Sequence, residues 1–165
     1  MPIVRQVKNC RHFAAKIINQ TTMRVPAKAE YACIAVLELA ASYGAPQPVR
    51  VKTIADAHNI PLRFLVQILL QLKGAGLVVS TRGAAGGYHL TRPPEQISLA
   101  NVINVIDRTP PLRIDSPTLP PSPAVRAIRA VWREIQAEEQ RMLEEKTFAD
   151  LVRQSQQAIG LSYQI

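Results

Sequence analysis

The chain has 165 residues, of which 47% are hydrophobic and 19% are charged, and it carries a formal net charge of +8. A chain of this length can bury about two-thirds of its surface, so it can form a core without disulfide or metal cross-links. Its two cysteines and three histidines lack the spacing of metal ligands, which argues against a zinc site or a cysteine-held cluster and fits a reducing compartment. No apolar run approaches the roughly 20 residues of a membrane span, so we expect a soluble, cytoplasmic protein with no membrane partner.

Positive charge is concentrated in the N-terminal half. Residues 1–92 contain 12 Lys or Arg and three acidic residues, whereas residues 93–165 contain eight and nine. Such a field attracts polyanions, above all nucleic acid phosphates, or an anionic membrane surface. The alternative is a basic protein with solvated lysines, and charge alone does not separate the two.

Residues 1–22 contain four basic residues and no acidic residue. They lack the continuous apolar centre and the cleavage site of a signal peptide, so we interpret them as an N-terminal extension rather than an export signal. After them, residues 28–42 are almost continuously apolar and predict a helix that is buried on most sides. Residues 49–51 predict a short extended piece, and residues 52–58 predict a second, short helix.

A third helix is predicted from Pro61 to Lys73, because proline suits the first turn of a helix and Gly74 follows the end. Its leucines recur at spacings of three and four and are expected to face the core together: Leu62, Leu65, Leu69 and Leu72. The opposite face carries Arg63, Gln67 and Gln71, flanked by Phe64.

Residues 77–81 and 88–91 are short β-prone runs joined by the glycine-rich loop 82–87, which predicts a hairpin. Two short helices, a tight turn and a hairpin form a winged helix-turn-helix pattern. The predicted fold is therefore mainly α with a small β-hairpin.

Ser98 is predicted to cap a further helix that runs through Asp107. Six of the 14 residues from 110 to 123 are proline, which predicts an extended connector over residues 109–123. A long helix is then predicted over residues 124–146. Its apolar residues have heptad-like spacing, interrupted by Glu139: Val125, Ile128, Trp132, Ile135 and Met142.

Residues 147–150 resemble a capping box with Asp in place of Glu, and they predict a final helix that ends near Gly160. The expected organisation is an extension over 1–22, a winged helix-turn-helix domain over 23–108, a connector over 109–123 and a helical dimerisation region over 124–165.

The third helix has the residue types needed to recognise bases in a major groove. Arg63 can bind guanine bidentately, Gln67 can bind adenine, and Phe64 can contact a thymine methyl. An ordinary amphipathic surface helix is the competing interpretation. The hairpin loop favours DNA, because its glycines allow close approach to a phosphate while Arg82 supplies the charge that a narrow minor groove attracts.

Several stretches resemble the Rrf-two family of bacterial winged-helix transcriptional regulators. They are Met23 to Val25 with Lys28 and Tyr31, residues 54–55, 60–65 and 76–78, the loop 82–88, residues 99–107 and residues 147–152. The resemblance implies a homodimer joined by the long C-terminal helix, which binds a palindromic operator in double-stranded DNA and usually represses transcription.

The resemblance also implies roles for individual residues. Recognition-helix residues would face the bases, Arg82 would enter the minor groove, Gly86, Gly87 and Tyr88 would form the wing, and two lysines would contact phosphates. The implied DNA-binding residues are Lys28, Lys52, Pro61, Leu62, Arg63, Phe64, Gln67, Arg82, Gly86, Gly87 and Tyr88.

Three departures from the family pattern alter this expectation. Many members place three cysteines after the helix that begins at Leu99, whereas this chain has none there, so we expect no iron-sulfur cluster and no other cofactor or metal. Val66 stands where several members have an acidic residue that accepts from cytosine, so sequence preference should differ. The resemblance begins at Met23. Either the natural start is Met23, or the chain starts at Met1 and residues 1–22 form a basic arm.

Without cluster ligands, the regulator would respond to a small ligand, a partner protein, a thiol or nothing. Cys33 is a candidate redox thiol, although a small buried hydrophobe is the simpler interpretation. An enzyme is not expected, because no catalytic set of residues is apparent. The alternative function is a protein-interaction module whose winged helix no longer binds DNA.

Overall fold

The computed structural model describes residues 25–83, 85–107 and 122–162, with the backbone alone for residues 159–162. The predicted extension over 1–22 and most of the predicted connector lie outside the described residues. The elements in chain order are α1 (Ala27–Ala41), α2 (Val51–His58), α3 (Leu62–Gly74), β1 (Val78–Thr81), β2 (Gly87–Leu90), a 3₁₀ turn (Pro94–Gln96), α4 (Leu99–Ile106), α5 (Pro123–Glu145) and α6 (Phe148–Ser162).

Helix α1 is the centre of the fold. It packs against α3, α4, α6 and β2. Its inward positions include the fully buried Ala29, Ala32 and Ala35, whose small side chains let neighbouring helices approach closely. The predicted burial of this helix on most sides is therefore confirmed.

The hairpin pairs β1 with β2 in antiparallel register, with Val78 opposite Leu90 and Thr81 opposite Gly87. Val78 is buried against the helices, whereas its neighbour Val79 is 46% exposed, as the alternation of a half-buried strand requires. The predicted winged helix-turn-helix pattern of two helices, a turn and a hairpin is confirmed.

Helix α4 begins at a complete capping box. The Ser98 hydroxyl accepts from the Asn101 N–H, and the Asn101 side chain accepts from the Ser98 N–H. Ser98 also forms a backbone bridge with Thr147, and the Phe148 N–H donates to the Ile97 carbonyl at 2.9 Å. Backbone hydrogen bonds therefore connect the start of α4 to the start of α6.

Residues 124–165, expected to form one dimerisation region, contain two helices with different surroundings. Helix α6 packs on α1, and its first residue Phe148 is fully buried in the common core. The 23-residue α5, in contrast, has no buried residue. None of the described helices is long and apolar enough to cross a membrane.

The boundary of the long helix differs from the expectation. The predicted connector includes Pro123, but Pro123 is the first residue of α5, and the Ser122 hydroxyl accepts from the Val125 N–H. Proline at this position costs no hydrogen bond, because the first N–H groups of a helix have no partner within the helix. The predicted capping box at the start of α6 is confirmed, since the Asp150 carboxylate accepts from the Thr147 N–H and the Asp150 N–H donates to the Thr147 hydroxyl.

Candidate nucleic-acid interface

A tight turn sets α2 against α3. Asn59 has a φ of 51°, in the left-handed region that asparagine tolerates better than most residues. The next residue, Ile60, is 3% exposed and donates its N–H to the Ala55 carbonyl. The buried Ile60 anchors the turn, so α3 leaves it in a fixed direction.

The inward face of α3 is built into the core. Leu65, Ile68, Leu69 and Leu72 are all fully buried. Arg63 and Gln67 are exposed, and because they are four residues apart they lie on the same outward face. The structure therefore places the two predicted base-contacting side chains side by side, on a helix whose orientation is set by its leucines and Ile68.

The prediction that Leu62 faces the core is wrong, because its side chain is 45% exposed. Leu62 is the first residue of α3, and it lies at the edge of the apolar stripe, whose centre is closer to Ile68. No further turn of helix precedes it to pack against the core. Leu62 instead joins Pro61 and Arg63 on the exposed surface at the N-terminal end of α3.

Phe64 has a structural contact that the sequence did not reveal. Its ring meets the ring of Tyr31 on α1 edge to face, with centroids 6.0 Å apart and planes at 88°. Such a pair stabilises by about 0.5 to 1.5 kcal/mol beyond burial alone. Since Phe64 is still 42% exposed, its ring both fixes the start of α3 and is available to a ligand.

The tip of the wing depends on two adjacent glycines. A Cβ at Gly86 would lie 2.5 Å from the Thr81 carbonyl oxygen, and one at Gly87 would lie 2.4 Å from the Val49 carbonyl oxygen. Both positions therefore exclude any side chain. The exposed Arg82 stands at the end of β1, beside this turn.

Val49 adds a third, one-residue strand to the wing. The Tyr88 N–H donates to the Val49 carbonyl at 2.9 Å, and the Val49 N–H donates to the Tyr88 carbonyl at 3.0 Å. Val49 is only two residues before α2, where the exposed Lys52 lies in the first turn. The wing and the Lys52 side of α2 are thus held together by backbone hydrogen bonds that no local sequence signal indicated.

Further polar contacts join the elements of the winged helix. Lys73 near the end of α3 donates to the Ser80 hydroxyl of β1 at 2.6 Å, and the Thr91 hydroxyl donates to the Gly76 carbonyl at 2.6 Å. Sequence reasoning missed both. These contacts help to set the angle between α3 and the wing, which decides whether both can contact one duplex.

The described part of the winged helix has an excess of positive charge. From residue 25 to residue 92 it contains seven Lys or Arg and three acidic residues. One of these acids, Glu38, already accepts a hydrogen bond from His58 at 2.8 Å. The outward face of α3, Arg82 and Lys52 therefore lie in a positive field suited to phosphates. Lys28 is half-buried in the first turn of α1.

Cys33 lies half-buried on α1. Burial raises the pKa of its thiol from 9.0 to about 11. The thiolate is the reactive form, so this environment weighs against the candidate redox role at neutral pH.

The comparisons with known proteins agree with this geometry. Residues 25–154 match the family model "Rrf2", described as an iron-dependent transcriptional regulator. The chain belongs to the Rrf2 family of transcriptional regulators. The match covers 130 of the 165 residues and includes the winged helix, α5 and the start of α6.

Relatives in sequence and in structure extend the match. Rv1287 of Mycobacterium tuberculosis strain H37Rv, classed as an HTH-type transcriptional regulator, is 42% identical over 133 residues, covering 78% of this chain and 81% of that protein. The structure of CymR, the global cysteine regulator of B. subtilis, has a TM-score of 0.69 at 30% identity and covers 80% of this chain and 98% of that one. The structure of T. potens IscR has a TM-score of 0.68 at 30% identity, covering 82% and 90%.

The family description names iron, but the donor atoms of this Rrf2 member do not fit a cysteine-held cluster. The chain has two cysteines, and of these the structure describes Cys33 alone, on the apolar α1. Within the described residues, no three His, Cys, Asp or Glu side chains come together as metal ligands.

Proposed function

We propose that this Rrf2-family regulator binds a specific, palindromic operator as a homodimer and represses transcription, without an iron-sulfur cluster. One observation carries the DNA-binding part. Arg63 and Gln67 stand exposed on one face of a helix whose opposite face is fully buried, and the wing with Arg82 is fixed beside it. Exposed Arg and Gln side chains at the N-terminal end of such a helix reach base edges when the helix enters a major groove.

Phosphate contacts complete the proposed interface. Lys28 in the first turn of α1 and Lys52 in the first turn of α2 would bind the phosphate backbone, while Gly86, Gly87 and Tyr88 would set the path of the wing along the groove. Such contacts fix the position of the protein on the duplex, and the base contacts of α3 supply the sequence preference. Pro61, Leu62 and Phe64 would form the apolar surface around Arg63 at the entry of the groove.

The homodimer is supported by α5. Its exposed apolar side chains lie along one side of the helix and will be called the α5 stripe: Ile128, Val131, Trp132, Ile135 and Met142. Each of these side chains is between 43% and 55% exposed. Exposed apolar surface of this extent favours association, and a second copy presents the same stripe. A two-fold pair of winged helices would then face two half-sites.

The input of the regulator is proposed to be a small ligand or a partner protein. A candidate site for such an input is an open groove of about 430 Å³ between the C-terminal end of α3 and α4, lined by Gln71, Gly74, Ala75, Asn104 and Val105. A ligand there would touch the recognition helix itself. Since operators lie on the chromosome, we place this activity in the bacterial cytoplasm.

Selection from a random DNA pool tests the proposal. The full chain, at physiological salt, is incubated with random duplexes, and the bound DNA is sequenced after several rounds. We expect an enriched palindrome with half-sites about one helical turn apart. Repression is then measured by placing the selected operator upstream of a reporter gene, with a scrambled operator as the control.

The alternative function predicts a different result. A winged helix that no longer reads DNA would enrich no sequence, and its DNA affinity would fall steeply and uniformly as salt rises. That outcome would mean either that specific binding needs a ligand absent from the assay or that the winged helix serves a protein-interaction module.

A further inference from the structure

The outward face of α3 continues beyond the two side chains proposed to contact bases. Leu70 is three residues after Gln67 and seven after Arg63, a spacing that keeps all three on one face of a helix. The Leu70 side chain is 47% exposed, whereas Leu65, Leu69 and Leu72 of the inward face are fully buried. Leu70 therefore extends the exposed face of α3 by a further turn, and this extension is apolar.

The neighbours of Leu70 leave its side chain open to a ligand. Gly74, one turn later, has no side chain, and a Cβ there would meet no atom within 4 Å. Lys73 is the other neighbour on that side, and its ammonium donates to the Ser80 hydroxyl of the wing at 2.6 Å. Its side chain is therefore directed toward the wing, and Leu70 stays uncovered from the C-terminal side.

The direction of the Leu70 side chain places it beside Gln67. Side chains of a helix slant toward its N-terminus, so Leu70 lies over the turn that carries Gln67. The rise from Gln67 to Leu70 is about 4.5 Å along the helix axis, a little more than one base-pair step of about 3.4 Å. When α3 lies in a major groove, a base pair that meets Gln67 therefore has Leu70 beside it or one step away.

The C5 methyl of thymine is the apolar group that base pairs present in the major groove. An adenine bound by Gln67 is paired with thymine, so such a methyl is present at that base pair itself. We propose that Leu70 is a specificity-determining residue, which contacts a thymine methyl at the base pair of Gln67 or at the adjacent pair. This inference rests on the proposed function, because it requires α3 to lie in the major groove. Leucine forms no side-chain hydrogen bond, so it selects thymine by burying the methyl.

Removal of single methyl groups from the DNA tests the inference. Each thymine of the selected operator is replaced in turn by deoxyuridine, at the same place in both half-sites, which keeps base pairing and removes only the C5 methyl. The affinity of the full chain is compared with those of Leu70→Ala, Leu70→Met and Phe64→Leu. Val79→Ala is the matched control, because Val79 is 46% exposed on the wing and lies outside α3. Urea unfolding checks that each variant keeps the parent stability.

The parent chain should lose affinity at one thymine of each half-site. Burial of a methyl contributes about a 4-fold change, so replacement in both half-sites should weaken binding by about 15-fold. Leu70→Ala should bind the thymine and deoxyuridine operators equally. Leu70→Met keeps an apolar side chain and should retain the parent's loss, as should Val79→Ala. The responding thymine should lie at the base pair that Gln67→Ala affects, or one pair from it.

Three outcomes would overturn the inference while leaving operator binding by α3 intact. The first is equal sensitivity of the parent and Leu70→Ala to deoxyuridine at every position. The second is loss of the response in Phe64→Leu but not in Leu70→Ala, which would assign the methyl contact to Phe64. The third is a selected operator without thymine at or beside the Gln67 position. Equal binding of the operator and a random duplex by the parent would instead remove the proposed function, and this inference with it.

Discussion

Gly87 passes so close to Val49 that a Cβ on it would lie 2.4 Å from the Val49 carbonyl oxygen. This contact is backbone against backbone, so no side-chain rotation can relieve it. Val49 exchanges two hydrogen bonds with Tyr88, the next residue of β2. The wing is thus attached to the chain that leads into α2, and the attachment requires glycine.

Replacing Gly87 with alanine should therefore detach Val49 from the wing. We expect Gly87→Ala to lower the free energy of unfolding by about 1 to 3 kcal/mol, as overpacking does, and to weaken operator binding. Gly74→Ala is the matched control, because a Cβ there meets no atom within 4 Å and alanine favours a helix by up to about 1 kcal/mol. Urea unfolding and fluorescence anisotropy with a labelled operator measure both effects. Equal stability of the two variants would contradict the close contact.

Gln67→Ala should affect one base position. Loss of a bidentate contact costs about 1 to 3 kcal/mol at the base that Gln67 contacts and leaves other positions unchanged. The control is Gln156→Ala, an exposed glutamine of α6 outside the recognition helix, which should retain the parent preference. Affinities for a panel of single-base operator variants provide the measurement. A uniform loss across the panel would remove Gln67 from base recognition.

Arg82→Ala should weaken binding and relax the preference for a narrow minor groove beside the wing. It should also reduce the magnitude of the salt slope by about 1.8, the value for two phosphate contacts, one from each protomer of the proposed dimer. Arg82→Lys keeps the charge and should preserve the slope. Titrations at four salt concentrations, on operators with and without an A-tract under the wing, separate the two effects. Retention of the A-tract preference by Arg82→Ala would count against a groove contact.

A charged substitution in the α5 stripe should disrupt the proposed dimer. If the proposed dimer forms through this stripe, Ile135→Lys should convert it to a monomer, because a lysine at the centre of the stripe would be buried beside its own copy. Ala130→Lys adds the same charge on a different side of α5 and should stay dimeric. Trp132 is the single tryptophan and lies in the stripe, so its emission on dilution reports dissociation alongside sedimentation velocity. A dimeric Ile135→Lys variant would mean that the stripe is not the dimer contact.

The thiol of Cys33 should be slow to react. Because burial raises its pKa from 9.0 to about 11, the thiolate at neutral pH is about 100-fold scarcer than in an exposed cysteine. Stability linked to this thiol is fully present below pH 9 and is lost as the pH rises from 9 to about 11, since the unfolded chain ionises first.

Alkylation by iodoacetamide in the Cys10→Ser variant, followed by mass spectrometry, measures the rate at Cys33 between pH 7 and pH 11. The Cys33→Ser variant gives the rate at Cys10 for comparison. A Cys33 rate that levels off below pH 9 would reopen a redox role, as would loss of an oxidant response in the Cys10→Ser, Cys33→Ser double variant.

Local patterns predicted the elements better than they predicted the contacts between them. The spacing of Leu65, Leu69 and Leu72 correctly gave the inward face of α3, because a helix repeats its faces every 3.6 residues. Leu62 obeys the same spacing but lies at the end of the helix, where the core does not extend. Burial at a helix end depends on neighbouring elements, which the spacing does not encode.

The contacts that shape the candidate interface are distant in sequence. Val49 and Tyr88 are paired by backbone atoms, which carry no residue-specific signal, and Tyr31 meets Phe64 across two separate helices. The glycines of the wing were predicted to bring the backbone close to DNA. The structure shows a second reason for glycine at position 87, because the Val49 backbone lies against it. The sequence alone does not distinguish this reason from close approach to DNA.

Burial of Phe148 determines when the core can be completed during synthesis of the chain. This residue closes a core that otherwise comes from residues 29–106, and its N–H is bonded to Ile97. During synthesis, residues 29–106 therefore emerge from the ribosome before Phe148, the residue that completes their core. We expect nascent or truncated chains that stop before α6 to be incompletely packed, so that a prematurely ended product does not compete with the complete regulator for its operator.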